Sequence, residues 1–358
     1  MLLSNTASLF FYLGIYGISA LLMYSSNKSK HVLLFTILSL MLPICMAAFR
    51  KNGTDIDVYV NFFHYIKDTS WLEIFSGISL NSESGLKFLA KLTSILGDER
   101  LFLGVTAAVT LIPVYSAIKN QFPSIPAEIA TFLFLTAQFT TSLNIIRQMI
   151  AVALVFWGVR YIYERRFASF MLIIVLAASF HVTAWLVFPF YFISDRSGRS
   201  IAGIKTIFAI SIMLLIMTNL PWAIQQLTHV GVFEKYSVYD TYDIETMNRS
   251  IIVNLFVFLI VFWHRKLLIK FDDRNKLLIL FSGFALLFGF SGFLSPFIKR
   301  FVQYFDISSI VLLAQIPLVY DKKSQLIVKI LVYIYAITLF VIVFYILGQS
   351  FIIPYKTI

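Results

Sequence analysis

An arginine and a histidine interrupt stretches of the sequence that are otherwise almost wholly apolar. Arg147 lies within FTTSLNIIRQMIAVALVFWGV, and His181 lies within MLIIVLAASFHVTAWLVFPF. An ionisable side chain at membrane depth is costly, so its presence there is by default a sign of function. A guanidinium binds phosphate oxygens through parallel hydrogen bonds, and an imidazole can accept a proton near neutral pH. The two residues therefore predict anion binding and acid–base chemistry.

The composition places these residues in a membrane protein. Of the 358 residues, 59% are apolar and 13% are charged, whereas a soluble domain has about 25% charged residues. The apolar runs are too long and uniform for the alternating strands of a membrane barrel. We therefore expect an all-α, polytopic protein that forms a single transmembrane domain over residues 1–358. The net charge of +11 falls in short loops, where basic residues set orientation, so it does not indicate nucleic-acid binding.

About eleven segments are expected to enter the membrane, where a full span needs roughly 20 residues. The first has no basic leader, so we interpret it as a span and not a signal peptide. The clear spans lie near 7–24, 32–49, 101–118, 127–143, 145–163, 202–220, 250–264, 277–295, 301–320 and 326–348. The positive-inside rule then puts the basic loops in the cytoplasm and leaves region 50–100 and loop 221–249 outside.

The stretch 167–193 fits this orientation only as a broken or re-entrant element. One ordinary span there would move the basic loop 264–276 to the outside, against the positive-inside rule. We therefore expect His181 near a turn, lining a cavity that opens outward, because non-helical backbone at this depth must be buried in protein or face water. The alternative is one long helix in which His181 bonds to a neighbouring span.

The external region 50–100 predicts two amphipathic helices. In the first, Ile56, Val60 and Phe63 share one face, and Asp55 can meet Tyr59 four residues later. Asp55 is either the helix N-cap or a functional acid.

The second amphipathic helix has an apolar stripe of Leu86, Leu89, Leu92 and Leu96, and Glu83 precedes it. Glu83 is either an acid favoured at a helix N-terminus or a carboxylate held over an external cavity.

Three spans are expected to present cations at the external face. Arg50 ends the second span, Arg147 lies about one turn into the fifth, and Arg300 precedes the tenth. Such guanidinium groups suit a lipid-linked pyrophosphate, and Gln148 adds a polar group beside Arg147. The alternative for Arg300 is that it extends to the lipid headgroups. The single cysteine, Cys45, lies in an apolar run and is interpreted as a packed core thiol.

Short motifs in this order resemble those of the EpsG-type and Wzy-type polysaccharide polymerases. FRKNGTDIDVY is similar to the element after their second span, and ESGLKFLAKLTSILG to the helix that follows it. NIIRQMIAVAL, SFHVTAWLVFPFYF, KRFVQYF and the late IPY resemble their arginine, histidine and carboxy-terminal elements. The resemblance covers nearly the whole chain. Carried over position by position, it nominates Arg50, Gly53, Asp55, Tyr59, Glu83, Arg147, His181, Arg300 and Tyr304.

The resemblance implies an integral membrane glycosyltransferase with a GT-C-like fold in the bacterial cytoplasmic membrane. Such an enzyme transfers the growing glycan from undecaprenyl pyrophosphate to the next lipid-linked repeat unit at the outer face. Its implied partners are the undecaprenyl-pyrophosphate-linked oligosaccharide and the bilayer, together with a flippase and a chain-length regulator. Two other classes stay open: a flippase for the same lipid-linked sugars, and a ligase that transfers finished glycan to another acceptor.

The expected chemistry needs a stabilised leaving group and a base. We expect cations to stabilise the pyrophosphate and His181 to be the first candidate for the base, because the unperturbed pKa of an imidazole is about 6.5. Asp55 and Glu83 are the other candidate bases. The residues expected to bind pyrophosphate or glycan are Arg50, Arg147, Arg300, Gln148, Tyr59 and Tyr304. Asp55 and Asp57 form an Asp-x-Asp pattern, but they lie about 200° apart around a helix and should not act as a carboxylate pair. The sequence has no Cys/His cluster, so we predict catalysis without a metal or other cofactor. Pyrophosphate is a good leaving group, and we expect a single inverting displacement.

Overall fold

The computed structural model describes residues 2–75, 83–193, 249–290 and 300–357, and this part of the chain is almost entirely helical. The helices before residue 194 are α1 Asn5–Lys28, α2 Val32–Phe49, α3 Ile56–Asp68, α4 Trp71–Phe75, α5 Ser84–Leu96, α6 Glu99–Ser116, α7 Ala127–Leu133, α8 Thr140–Ser142, α9 Ile146–Gly158, α10 Arg160–Tyr163, α11 Phe167–Phe180 and α12 Phe190–Ile193. Those after residue 248 are α13 Arg249–Phe271, α14 Asn275–Phe290, α15 Val302–Asp306, α16 Ser308–Gln315 and α17 Lys322–Phe340.

Shorter turns of other helical types extend or join these helices. The 3₁₀ segments are Val182–Val187, Ile316–Val319 and Gln349–Phe351, and the π-helical segments are Ala117–Gln121, Phe134–Phe139 and Val341–Ile346. Phe134–Phe139 joins α7 to α8, and the Thr140 hydroxyl donates to the Leu135 carbonyl oxygen five residues earlier at 2.8 Å. No β-strand forms within the described ranges.

Seven of the described helical runs are long and apolar enough to cross a membrane. They are Asn5–Lys28, Val32–Phe49, Glu99–Gln121, Ile146–Tyr163, Ile251–Phe271, Val302–Val319 and Lys322–Ile346. Each matches a span predicted from the sequence, so the all-helical, multi-pass architecture is confirmed. The total of about eleven spans is not confirmed. Residues 127–142 form a shorter helical run. The predicted span 202–220, loop residues 221–248 and residues 291–295 of the predicted span 277–295 lie outside the described residues.

Side chains just before several helices explain where those helices begin. The Ser4 hydroxyl accepts from the backbone N–H of Ala7 at 3.2 Å. The Asp98 carboxylate accepts from Arg100 and Leu101 at 3.1 and 3.3 Å. These acceptors satisfy amide groups that have no partner within the helix, so polar residues in the connecting turns define the starts of α1 and α6.

The predicted break within 167–193 is confirmed. Helix α11 ends at Phe180, and a tighter 3₁₀ turn begins at Val182. His181 is the non-helical residue between them, although its backbone N–H still donates to the Ala177 carbonyl oxygen at 3.0 Å. The alternative of one long helix is therefore wrong. The re-entrant path through the membrane stays a prediction.

The two predicted amphipathic helices are α3 and α5. Helix α3 buries Ile56, Tyr59, Phe63 and Ile66, a spacing of three and four residues that keeps them on one face.

In α5 the predicted leucine stripe is only half right. Leu86 and Leu89 are buried, whereas Leu92 is 41% and Leu96 71% exposed. Lys87, Ala90 and Thr93 complete the buried face. Position 92 turns away from this face at 3.6 residues per turn, and Leu96 is the last residue of the helix.

Cys45 lies exposed on α2, so its interpretation as a packed core thiol is wrong. Only 28% of the apolar window of α2 is buried by the rest of the chain. The thiol lies on the side of this helix that the described chain leaves uncovered.

The chain divides into two compact units. One comprises residues 1–157, 176–182 and 313–358, and the other comprises 158–175 and 183–312. The core of the second unit contains a cluster of phenylalanine rings. Phe305 lies 5.3 Å from Phe190 and Phe281, 5.4 Å from Phe288 and 5.5 Å from Phe284, measured between ring centroids. Such offset and edge-on pairs add to the stabilisation from burial alone.

Replacement of Phe305 by alanine is expected to destabilise the second unit by about 3–5 kcal/mol, because it removes the central ring of this cluster and leaves a cavity. The matched control is Phe10→Ala, since Phe10 is 68% exposed. Thermal unfolding of the two purified variants in the same detergent checks the prediction. Equal melting temperatures would contradict the central role of Phe305.

Candidate functional site

The Glu83 carboxylate joins the arginine and the histidine that stand out in the sequence. Glu83 Oε2 lies 2.5 Å from Arg147 Nη1, and Glu83 Oε1 lies 3.3 Å from His181 Nδ1. The side chains of Glu83 and His181 are 11% and 10% exposed, whereas that of Arg147 is 35% exposed. The structure thus brings together three residues that the sequence nominated separately, and it leaves part of the guanidinium accessible.

Glu83 lies in this cluster because it stands at the start of helix α5. Glu83 occupies the N-cap position of α5, but its side chain makes no capping hydrogen bond. Its position at the helix N-terminus is confirmed, and its carboxylate contacts Arg147 and His181 instead of the helix amides. The external cavity stays a prediction.

Gly85 lets the start of α5 approach α11 closely. A Cβ atom at Gly85 would lie 2.7 Å from Ser179 Oγ and 2.9 Å from the Ser179 carbonyl oxygen. Because Ser179 is two residues before His181, this close approach fixes the distance between Glu83 and the imidazole.

Tyr59 provides a second partner for Arg147. Tyr59 is buried on α3, and its side chain hydrogen-bonds with that of Arg147. Burial raises the pKa of Tyr59, an effect that the nearby Arg147 charge partly opposes and that the Asp55 charge reinforces. The phenol is therefore protonated at neutral pH and cannot serve as the base.

Asp55 lies at the start of the same helix. It occupies the N-cap position of α3 but makes no side-chain capping bond. Its backbone N–H is 3.5 Å from Asn144 Oδ1, and its carbonyl oxygen accepts from the Tyr59 N–H at 3.1 Å. The prediction that Asp55 occupies the N-cap position is thus confirmed, but its side chain does not make the capping hydrogen bond. The role of Asp55 as an acid stays a prediction.

Arg50 has a different environment from Arg147. It is 1% exposed; Nη1 donates to the Asn52 carbonyl oxygen at 2.8 Å, and Nη2 donates to the Leu143 carbonyl oxygen. Burial lowers the pKa of Arg50 to about 10, so the side chain is still charged at neutral pH. The cavity beside it, which Thr106 and Ser142 also line, has room for about one water molecule.

Gln148 is buried on α9 beside Arg147, and its role in binding stays a prediction. Two further buried polar residues were not among the predicted site residues. Lys87 is only 6% exposed on the inward face of α5, one turn after Glu83. Asn144 bonds to the backbone of the carboxy-terminal segment. The four-residue spacing from Glu83 could have placed Lys87 on the same side of the helix. The partner of Asn144 lies 206 residues away, so no local sequence pattern predicts that contact.

Arg300 and Tyr304 belong to the second unit. Tyr304 is buried, and its hydroxyl accepts a hydrogen bond from Thr183 Oγ1 at 3.0 Å. Arg300 is partly exposed in the turn before α15. Their participation in one site with Arg147 stays a prediction.

The Glu83 cluster can bind an anion and hold a proton acceptor. A carboxylate beside one imidazole nitrogen fixes the ring orientation and stabilises the imidazolium, while the opposite nitrogen exchanges protons with a substrate. Nδ1 of His181 faces Glu83, so Nε2 is the nitrogen that can exchange a proton in this arrangement. The Arg147 guanidinium, which contacts Glu83 and Tyr59, places positive charge beside the same carboxylate.

Gly85→Ala is expected to push α5 away from α11, because the new methyl group meets the backbone of Ser179. Such overpacking costs about 1–3 kcal/mol. Gly17→Ala is the matched control, since a Cβ atom there meets nothing within 4 Å and alanine favours a helix. Thermal unfolding should show a lower melting temperature for Gly85→Ala alone. An unchanged value would show that α5 tolerates the methyl group.

Comparison with protein families gives one result that spans the site. The model of the EpsG family matches residues 32–357, a range that contains every residue of the cluster. Neither the curated proteins nor the solved structures provide a match to the chain.

Proposed function

The chain belongs to the EpsG family, and we propose that it is a polysaccharide polymerase of the bacterial cytoplasmic membrane. It transfers the growing glycan from undecaprenyl pyrophosphate to the next lipid-linked repeat unit at the outer face. The observation that carries this proposal is the Arg147–Glu83–His181 cluster, because a guanidinium and an oriented imidazole are what such a transfer requires.

Arg147 stabilises the leaving group. As the bond between the anomeric carbon and the pyrophosphate oxygen breaks, the electron pair stays on that oxygen and negative charge develops there. A fixed cation at this position needs no reorganisation during the reaction, which makes its stabilisation effective. The partly exposed Arg147, held by Glu83 and Tyr59, supplies such a cation.

His181 accepts the proton. The acceptor hydroxyl of the next repeat unit forms the new bond to the anomeric carbon, and its proton passes to Nε2 of His181. Glu83 orients the ring and stabilises the resulting imidazolium. We therefore assign Glu83 a positioning role, because its carboxylate is already held by Arg147 and its charge is largely compensated.

The remaining features of the proposal follow from this chemistry. One displacement at the anomeric carbon inverts its configuration. The leaving pyrophosphate is stabilised by guanidinium charge, so the reaction proceeds without a metal. Arg300 and Tyr304 bind the glycan or its carrier. A flippase supplies the lipid-linked units, and a chain-length regulator acts on the product.

Removal of either side of the cluster should stop polymerisation. Arg147→Ala and His181→Ala are each expected to lower kcat by about 10²–10⁴, the usual loss for a positioned cation or a general base. The assay uses purified protein in nanodiscs and the lipid-linked repeat unit isolated from cells that lack this chain. Gel separation of the lipid-linked products gives the rate of oligomer formation.

Two variants serve as matched controls for this assay. The side chains of Arg166 and His64 are 62% and 52% exposed, so Arg166→Ala and His64→Ala should retain the unaltered rate. Long oligomers from Arg147→Ala and His181→Ala would overturn the site assignment. An unaltered protein that makes no oligomer but moves the lipid-linked unit across the bilayer would instead identify a flippase.

Chelation tests the metal-free part of the mechanism. Addition of EDTA to the nanodisc assay is expected to leave the rate of oligomer formation unchanged, because the guanidinium charge is part of the protein. A rate that falls with EDTA and returns with Mg²⁺ or Mn²⁺ would refute metal independence. It would leave the polymerase assignment intact.

A further inference from the structure

The carboxy-terminal segment 348–357 crosses the two stretches of chain that precede the candidate site. Its backbone pairs with the turn after α2: the Lys51 N–H donates to the Lys356 carbonyl oxygen at 2.7 Å, and Arg50 forms a β-bridge with Thr357. The Asn52 side-chain amide also donates to the Ile352 carbonyl oxygen. This segment therefore lies directly against the turn that leads into α3.

One carbonyl oxygen of this segment binds both stretches at once. The Ser350 oxygen accepts from the Thr54 N–H at 3.1 Å and from Asn144 Nδ2 at 3.1 Å. Thr54 lies just before α3, which carries Tyr59, and Asn144 lies just before α9, which carries Arg147. Because Tyr59 and Arg147 contact each other, the Ser350 oxygen holds the starts of two helices that meet at the site.

The backbone adopts an unusual conformation to place this oxygen. Ser350 has φ 69° and Phe351 has φ 46°, and Gly348 before them has φ 61°. Residues other than glycine rarely adopt positive φ, and such conformations concentrate at functional sites. The several contacts of segment 348–357 with the rest of the first unit hold it there.

Gly53 shows how tightly this region is fitted. Its φ is +131°, and a Cβ atom there would lie 2.6 Å from Asn144 Oδ1 and 3.0 Å from Arg50 Nη1. Arg50 in turn binds the Leu143 carbonyl oxygen beside Asn144. The turn after α2, the turn before α9 and segment 348–357 therefore form one hydrogen-bonded assembly.

We propose that segment 348–357 is a positioning strap for Arg147, and that Ser350 is the positioning residue within it. The strap sets the relative placement of α3 and α9 through one shared acceptor, and so it sets the positions of the guanidinium and of the Tyr59 hydroxyl. The effect of the strap on catalysis rests on the proposed function. Its effect on the positions of α3 and α9 does not, because that effect can be measured without an activity assay.

The test uses two substitutions at the same residue. Ser350→Pro cannot adopt φ 69°, because proline fixes φ near −65°, so the shared oxygen leaves its position. Ser350→Gly adopts positive φ without steric cost and is the matched control. Asn144→Ala removes one of the two donors without changing the strap, and it serves if the proline variant does not fold.

The first readout is hydrogen–deuterium exchange of the full chain in nanodiscs. The Thr54 amide should exchange faster in Ser350→Pro, as should amides of peptides that cover residues 141–150. Ser350→Gly should resemble the unaltered protein. Unchanged exchange in both Ser350→Pro and Asn144→Ala would overturn the strap, whether or not the chain is a polymerase.

The second readout is the kinetics of oligomer formation. Misplacement of a catalytic group by about 1 Å can cost 10²-fold, so kcat of Ser350→Pro and Asn144→Ala should fall roughly tenfold to hundredfold. The KM for the lipid-linked unit should change less than kcat. Faster exchange with unchanged kcat would show a merely structural segment. No oligomer from the unaltered protein would refute the proposed function and leave the exchange result standing.

Discussion

The ion pair between Glu83 and Arg147, shared with His181, is the constraint on which the candidate site depends. Removing three ionisable groups from water is costly, and the cost is offset only where their geometry lets them satisfy one another. The three residues come from the start of α5, the first turn of α9 and the break after α11. The close approach at Gly85, the non-helical residue at His181 and the inward face of α3 all serve to bring them within contact distance.

Arg50 and Arg147 lie in different environments, and this difference gives the two arginines different roles. Arg50 is fully enclosed and donates to two backbone carbonyl oxygens. Such a buried cation holds chain segments together. Arg147 has a carboxylate for a partner and is 35% exposed, so part of its guanidinium group is accessible. The sequence predicted pyrophosphate binding for Arg50 and Arg147 alike, because both arginines lie near the ends of apolar runs.

The sequence was informative where one property decides the outcome. Long apolar runs identified the spans, and the distribution of basic loops predicted the break that the structure places at His181. The prediction that Cys45 is a core thiol was wrong because lipid-facing and core-facing positions are equally apolar in a membrane protein, so hydropathy cannot distinguish them. The contact partners of Glu83 and Asn144 could not be predicted for another reason. They lie 64 to 206 residues away in the sequence, and local periodicity does not indicate which helices contact each other.

The π-helical segment Phe134–Phe139 has a consequence for how such chains diverge. It lies between α7 and α8 and closes its turn with one residue more than an α-helix uses. One residue added to an α-helix would rotate everything beyond it by about 100°, whereas a π-helical turn accommodates the additional residue locally. Deletion of a single residue within Phe134–Phe139 would therefore restore α-helical winding and leave the direction of α8 largely unchanged. A change of one residue in length is thus better tolerated at this position than within the α-helical turns on either side.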